Sequence, residues 1–488
     1  MFVFSHRGGT RPCRGRPSPR LLRGPAAHSR EEAGTYRKAG APRRERNQDG
    51  GAKREGSRSG TRMCRDGRPR VRYVPAEEQG EEQGVKRIFD PIHGFIELSE
   101  AETALMDSAP FQRLRRLRQL GLAYLAFPSA EHSRFTHALG ALAMGTRAIE
   151  ALREHSPDYF ASEQDYEAQR RLLRVALLLH DLGHGPFSHA SEAVLGRRHE
   201  TRTEEMLELP RLREGMARAG VDPREVLALI VSGPPSSFPV LKELVSGPNL
   251  DCDRMDYLQR DAYFTGVSGG RYDAAQLVAS LRVLRIGGQP RLGIDGRGLV
   301  ALEQFVLARY MMFATVYFHH TTRAFERVLG DALRELWSDP HELDAIGEFL
   351  AWDDFRVMEQ LRPSQTAAAR ALRDRIAPFA LAAEFNGERD LTLYEACERV
   401  LRDHYGDDVW GDAQEERMRR GPALYVHLMG ATVEATEASD LIRGLAGKAY
   451  WRKLFVRRGG DRVRGARQLC AEVRARRQAG WSALPLPF

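Results

Sequence analysis

Cysteine is scarce and scattered. The five residues, Cys13, Cys64, Cys252, Cys397 and Cys470, are too dispersed for a disulfide framework, and none forms the close pair of a thiolate zinc site. A cytoplasmic location is the expectation. Long apolar runs are missing too. None approaches the roughly 20 residues of a membrane span, so no membrane association is expected. The start, MFVFSHRGGT, lacks the sustained apolar core of a secretory signal. No internal repeat stands out, which argues against a solenoid or propeller. The bulk of the chain also lacks basic charge. The net charge is +8, yet residues 1–80 hold 20 Lys and Arg against 8 Asp and Glu (+12), and the remainder holds 54 against 58 (−4). The high pI belongs to the N-terminal stretch, which weakens the case for a basic nucleic-acid-binding body.

What is present is ample for a core. The chain has 488 residues, 42% hydrophobic and 29% charged, enough for two or more lobes. Residues 1–82 are rich in Arg, Gly, Pro and Ser and are expected to be a disordered basic tail, with nucleic acid as a candidate partner. A core over 83–340 and a mostly helical C-terminal lobe over 341–488 should follow. The fold class is mainly α. Its β structure should be a short extended stretch near Lys86, a hairpin around Gly287-Gly288 and a strand near residue 450. A helix capped by Ser99 runs on towards Gly121 with an interruption at Pro110, and one long helix spans about 300–337.

The most informative stretch is LLLHDLGHGPFSH, Leu177 to His189. A buried carboxylate after five aliphatic residues needs a partner. His180 and Asp181 can share one ion at a helix end, with Gly183 and Gly185-Pro186 supplying a left-handed stop and a restart. His137 and Asp253 are the further candidate ligands, and imidazole with carboxylate suits Mn²⁺, Fe²⁺, Zn²⁺ or Ni²⁺. His189 and Glu192, three apart on one helix, can form an acid–base pair. His184 and His199 cluster nearby, and Arg134 is a candidate phosphate fork.

These motifs carry a resemblance. HSRFTH, LLLHDLGHGPFSH and DCDRMDYLQRD resemble the HD-domain superfamily of metal-dependent phosphohydrolases. DPIHGFIEL, FQRLRRLRQLG and FPSAEHSRFTHALG are similar to its deoxynucleoside triphosphate triphosphohydrolases, the branch with the dGTPases and the SAM-and-HD-domain enzymes. The resemblance runs from about Lys86 to Arg327. It implies an HD-type helical fold with a divalent ion (Mn, Fe, Mg, Zn or Ni) on His137, His180, Asp181 and Asp253. It implies proton transfer by His189 and Glu192, with His199 and His184 at the α-phosphate. Arg134 and Arg254 would hold the triphosphate. Gln119 and Asp261 would read the sugar 3′-hydroxyl, and Tyr257 and Tyr317 would line the sugar pocket with Leu120 beside it. Arg309 would lie near the polyphosphate or base. The implied reaction cleaves a dNTP to deoxynucleoside and tripolyphosphate. The implied partners are a nucleotide effector and further copies of the chain, as a dimer or tetramer.

The chain departs from that branch in having no SAM domain, residues 1–82 being too polar for one. Asp107, Gln112 and Arg115 are kept in the effector-binding segment. Phe89 replaces a polar residue there, and His320 replaces a lysine. Competing readings are a (p)ppGpp hydrolase, a cyclic-dinucleotide phosphodiesterase, or a nucleotide or nucleic-acid binder without turnover. The first expects an acidic pair after HD, where Leu182-Gly183-His184 stands, and the second a GYP motif, which is absent.

If the charge division is meaningful, deleting residues 1–82 leaves dNTP hydrolysis intact and weakens any salt-dependent nucleic-acid binding. Salt-titrated binding and turnover, measured side by side, check this. A truncated chain that fails to fold would refute it.

Overall fold

The computed structural model describes residues 85–231, 236–417 and 423–481, all within one unit, Gln79–Phe488. The basic stretch 1–82 lies outside the described residues. An antiparallel pair comes first, β1 (Lys86–Asp90) and β2 (Gly94–Leu98). Its turn is held by Asp90, whose Oδ1 accepts from the backbone N–H groups of Ile92 and His93. Ser99 then starts α1 (Glu100–Met106) through a capping box. Its hydroxyl accepts from Glu102 N–H, and the Glu102 carboxylate accepts from Ser99 N–H. The helix does not continue to Gly121. It restarts at α2 (Ala109–Arg113), with Pro110 in the first turn where no N–H is needed, then gives way to a 3₁₀ turn at Leu114–Arg116.

The helical body follows: α3 (Arg134–His155), α4 (Glu163–Leu179), α5 (His189–Leu195), α6 (His199–Leu207), α7 (Pro210–Arg218), α8 (Pro223–Ile230), α9 (Pro239–Ser246), α10 (Cys252–Thr265) and α11 (Ala274–Ala279). At its centre α3 packs on both α4 and α10. Small residues on α3 permit this. A Cβ on Gly140 would lie 2.0 Å from Asp256 Oδ1 and 2.3 Å from Arg260 Nη2, both on α10. The α4 run Leu172, Leu173 and Val175 to Leu179 is buried, so this helix is anchored almost to its end at His180.

The break after α4 differs from expectation. Neither Gly183 nor Gly185 takes a left-handed backbone. Phe187 and Ser188 do, each at φ 54°. Gly183 serves close packing instead, since a Cβ there would sit 2.0 Å from the His199 carbonyl oxygen and 2.5 Å from Thr203 N. Phe187 is held in its unusual conformation partly by donating its N–H to Asp354 Oδ1 at 2.7 Å.

The hairpin expected near Gly287-Gly288 forms, from β3 (Leu281–Ile286) and β4 (Gln289–Asp295), with φ of 58° and 84° at the two turn glycines. The expected long helix is two helices. α12 (Leu299–Met312) ends in a π-turn, Phe313–Tyr317, and α13 (His320–Leu336) begins after His319, whose ring accepts from Thr321 N–H. The stretch Gly296–Tyr317 is long and apolar enough to cross a membrane by length and composition, which the sequence reading did not expect. One side of it is packed, however: Ala301, Leu302, Phe305, Ala308 and Met312 are buried, and α12 lies against α10 and α11.

The C-terminal region adds strands to its helices. β5 (Phe379–Asn386) and β6 (Val409–Arg417) flank a later strand, β9 (Lys448–Arg457), in an antiparallel sheet ordered β5-β9-β6. Between them β7 (Tyr425–Leu428) extends the β3–β4 hairpin by parallel pairing, and β8 (Ala431–Glu434) completes that sheet. Only β9 was legible in advance. VWGDAQEER in β6 is too polar to read as a strand, and its pairing with β9 supplies what propensity does not. The expected arginine-rich C-terminal helix is present, Arg462–Trp481.

The tight α3–α10 approach gives a stability test. Gly140→Ala forces a methyl into the Asp256–Arg260 contact and should cost at least the roughly 1–3 kcal/mol of core overpacking. Thermal unfolding should show a clearly lowered Tm, and an unchanged Tm would contradict this packing.

A candidate metal centre and its cleft

Four side chains converge where α3, α4 and α10 meet. His137 lies in the first turn of α3, His180 and Asp181 at the end of α4, and Asp253 in the first turn of α10. His137 Nε2 is 3.3 Å from His180 Nε2 and 3.0 Å from Asp253 Oδ1. His180 Nε2 lies 3.7 Å from that carboxylate and 3.5 Å from Asp181 Oδ1.

The other ring nitrogens are already committed. His137 Nδ1 donates to Asp256 Oδ2 at 2.8 Å, and His180 Nδ1 donates to the Leu177 carbonyl at 2.7 Å. The Nε2 atom of each ring is therefore the one left to face an ion, and the two face each other and a carboxylate. Two atoms bound to one ion at about 2.1 Å, with an angle between 90° and 120°, lie about 3.0–3.6 Å apart. Most of these separations fall in or close to that range, so the residues fit a metal ion. His137, His180 and Asp253 each bring one atom within 4.8 Å of the other two, and Asp181, outside that group of three, has its Oδ2 3.8 Å from His137 Nε2. Burial alone would pull the His137 imidazole down, but its bonds to Asp253 and Asp256 outweigh that and push it up to about 10. The position attracts a cation.

Behind His137 stands a buried polar chain that sequence reading missed. Asp256 also receives His93 Nε2 at 2.6 Å and Arg260 Nε and Nη2 at 2.9 Å, and Arg260 reaches Asp90 at 2.8 Å. The signal was available in two places. Asp256 is one turn after Asp253, and Asp90 and His93 lie in the DPIHG segment quoted for the resemblance.

A second histidine cluster adjoins the first through Asp181. His184 Nε2 is 3.3 Å from Asp181 Oδ1, and its ring stacks on His199 with centroids 4.0 Å apart. Glu192 Oε1 faces three imidazoles, at 2.9 Å from His199 Nδ1, 3.3 Å from His189 Nδ1 and 3.7 Å from His184 Nδ1. The closest partner of Glu192 is thus His199, not His189. Burial would raise the Glu192 carboxyl, but its bonds to His189 and His199 hold it well below the usual range, so it stays ionised. Burial and the nearby Arg134 and His199 charges keep His184 neutral. His189 is the exposed member, its side chain 77% accessible.

A cleft of about 810 Å³ opens beside these groups, within the range of small-ligand sites. Gln119, Leu120, Arg134, His189, Tyr257, Asp261 and Tyr317 all line it. Arg134 is buried and aimed by its partners, with Nη1 on Asp181 Oδ2 at 2.5 Å and Nη2 on Ser188 Oγ at 2.7 Å. The Tyr317 hydroxyl donates to Asp261 Oδ2 at 2.8 Å, and His132 Nε2 meets Asp261 Oδ1 at 2.7 Å. Burial, then Asp261, push the Tyr317 phenol up, so it remains a hydroxyl. Gln119 Oε1 is buried without a hydrogen-bond partner. The four candidate metal ligands and His184, Glu192 and His199 are not among the cleft-lining residues, and neither are two of the candidate substrate-binding residues, Arg254 and Arg309. Arg254 is held by Asp251 and by the Gly247 carbonyl, and Arg309 donates to Glu416 at 2.6 Å.

Comparison with known proteins places this geometry. A model described as HD domain matches residues 134–234, and one described as HD associated region matches residues 272–379. The chain is 38% identical over 250 residues to uncharacterized protein YwfO of Bacillus subtilis, covering 49% of this chain and 53% of that protein. It is 30% identical over 285 residues to deoxynucleoside triphosphate triphosphohydrolase SAMHD1 of Danio rerio, covering 52% of this chain and 45% of that one. The chain spans about half the length of the curated relatives it matches. Among solved structures it resembles a hypothetical protein from Aquifex aeolicus, with a TM-score of 0.68 and 32% identity over 79% of this chain and 99% of that chain. A phosphohydrolase from Bacteroides thetaiotaomicron follows, with a TM-score of 0.61 and 27% identity over 77% of this chain and all of its own, 100%.

Two outcomes test the metal site. Asp256→Asn leaves the four ligands in place but weakens the carboxylate that aims His137, so metal affinity should drop about 10–100-fold by equilibrium dialysis. Protons compete for His137 Nε2 at any pH below about 10. Metal affinity should therefore rise with pH through neutrality, and binding should release protons detectable by calorimetry in buffers of different ionisation enthalpy.

Proposed function

The chain belongs to the HD-domain family, and from that premise we propose that it hydrolyses deoxynucleoside triphosphates, dGTP among them, to deoxynucleoside and tripolyphosphate. One juxtaposition carries the reading. Imidazole and carboxylate lone pairs converge beside a cleft whose wall offers an amide, a carboxylate and two tyrosines. Such a wall suits a sugar, and the charged corner suits a polyphosphate. The similarity to the Danio rerio triphosphohydrolase supports the same choice.

His137, His180, Asp181 and Asp253 would hold the ion, and a mixed imidazole–carboxylate set suits Mn²⁺, Fe²⁺, Zn²⁺ or Ni²⁺ better than an all-oxygen Mg²⁺ site. A divalent ion there supplies Lewis-acid polarisation and charge neutralisation. The protein's own groups do the rest. Arg134, fixed by Asp181 and Ser188, presents its guanidinium to phosphate oxygens. His184 and His199 contact the α-phosphate. Gln119, whose amide oxygen has no partner, and Asp261 take the 3′-hydroxyl. Tyr257 and Tyr317 enclose the sugar beside Leu120. Water attacks the α-phosphorus, and the departing 5′-oxygen takes a proton from His189, whose imidazolium Glu192 stabilises. Arg254 and Arg309 join the triphosphate by exchanging their present partners, Asp251 and Glu416, for phosphate.

The chain, loaded with Mn²⁺ and given each dNTP singly and in pairs, should release tripolyphosphate and deoxynucleoside. Pyrophosphate with deoxynucleoside monophosphate, or no turnover with any dNTP, would overturn the reading. His189→Ala should lose about 10²–10⁴-fold in kcat while keeping its metal content. Loss of metal from that variant would instead make His189 a ligand.

A further inference from the structure

We propose that Asp354 is a positioning residue of the cleft: its one carboxylate fixes the separation between the backbone that carries Gln119 and the turn that carries Ser188. Its Oδ2 accepts from Arg118 N–H at 2.9 Å, one residue before Gln119, and its Oδ1 accepts from Phe187 N–H at 2.7 Å, one residue before Ser188. Gln119 and Ser188 both line the cleft. Asp354 itself is fully buried at the start of a short helix, Asp354–Leu361, and lies 167 positions after Phe187. Both amides are open to such a partner. Arg118 stands opposite Ser133 in an isolated antiparallel bridge. That bridge is made by Gln119 N–H on the His132 carbonyl and Arg134 N–H on the Leu117 carbonyl, so the Arg118 N–H turns the other way. Phe187 lies ahead of α5 with φ at 54°, a backbone that needs holding. A second tie runs beside the first. Arg113 Nε donates to the Trp352 carbonyl and its Nη1 to the His184 carbonyl, each at 2.8 Å. The stretch from Trp352 to Asp354 thus grips the break after α4 at both His184 and Phe187.

The task needs a carboxylate. Its two oxygens can each accept, whereas an amide of the same size offers one acceptor and one donor. Burial pushes the Asp354 carboxyl up to about 6, against the two backbone N–H groups and Arg118. A carboxylate kept where burial disfavours it is explained by the two bonds that a neutral amide could not both make. What those bonds register is the span of the substrate. Ser188 Oγ receives Arg134, the proposed phosphate fork, and Gln119 is proposed for the 3′-hydroxyl. A nucleotide that reaches both needs them at one fixed separation. The inference rests on the hydrolase reading for what is positioned, and on the hydrogen bonds alone for the tie.

Asp354→Asn in the full chain keeps the size of the side chain and one acceptor, and so loses one of the two ties. Its kcat for dGTP should fall roughly 10–100-fold, since a misplacement of about 1 Å can cost about 10². Metal content by plasma mass spectrometry and the circular dichroism spectrum should stay those of the unmodified chain. Asp353→Ala, which removes the cap of the same helix but neither tie, should keep its turnover. Added to a chain that already carries Gln119→Ala and Ser188→Ala, Asp354→Asn should cost little more, because the groups it positions are gone; a merely structural loss would add in full. Hydrogen exchange reads the ties without nucleotide. It should accelerate at the Arg118 or the Phe187 amide in Asp354→Asn, and at both in Asp354→Ala. An unchanged kcat in Asp354→Asn, an equal loss in Asp353→Ala, full additivity, or unchanged exchange would each overturn the proposal. Accelerated exchange at those amides in a chain that turns over no dNTP would sink the substrate reading and leave the tie standing.

Discussion

The hydrogen bond from His137 Nδ1 to Asp256 is the constraint on which the centre depends. It sets the tautomer and the plane of a fully buried imidazole and so decides where Nε2 points. Asp256 is itself fully buried, and a lone carboxylate there would cost several kcal/mol. Arg260 and His93 stabilise it, and Asp90 in turn neutralises Arg260. Through these contacts the turn between β1 and β2, helix α3 and helix α10 are locked to one another. Gly140 is the steric condition for that lock, since any side chain would occupy the space of the ion pair.

The centre divides its labour along the chain. The ligands sit at helix ends, anchored by apolar packing behind them: the aliphatic run of α4 ends one residue before His180. The histidines proposed to handle protons sit beyond the break, on α5 and α6, where Phe187 and Ser188, both at positive φ, turn the chain sharply. Asp181 belongs to both groups. It faces His180 on one side and His184 on the other, and it also receives Arg134, so electrostatic change at either cluster is felt at the other.

The cleft is a product of the second half of the fold. The π-turn that ends α12 brings Tyr317 to Asp261, and α13 then supplies Arg323 and Glu326 to the lining. Trp410 and Gln414 from β6 also line it. These residues carry no motif, and no periodicity marks them, because their meeting depends on where two separate helices and a sheet dock.

Local chemistry made much of the site legible. His180-Asp181 follows an unbroken aliphatic run, and a buried carboxylate at the end of such a helix needs a partner. Ser99 with Glu102 announces a helix start, and Gly287-Gly288 announces a hairpin, because capping and turn geometry involve only neighbours. Legibility ended where partners are remote. Whether Gly183 bends the chain or merely lets α6 approach is settled by His199 and Thr203. Whether Arg254 and Arg309 face the cleft is settled by Asp251 and Glu416, since a buried guanidinium goes where a carboxylate will neutralise it. The polar β6 is a strand because β9 pairs with it. The sequence by itself determined the candidate ligands, their order along the chain and the mainly helical class, which rest on residue chemistry and short-range periodicity. Only the tertiary structure decided which nitrogen of each histidine is free, which carboxylate orients it, and which arginines are already spoken for, because those choices are made by contacts between residues far apart in the chain.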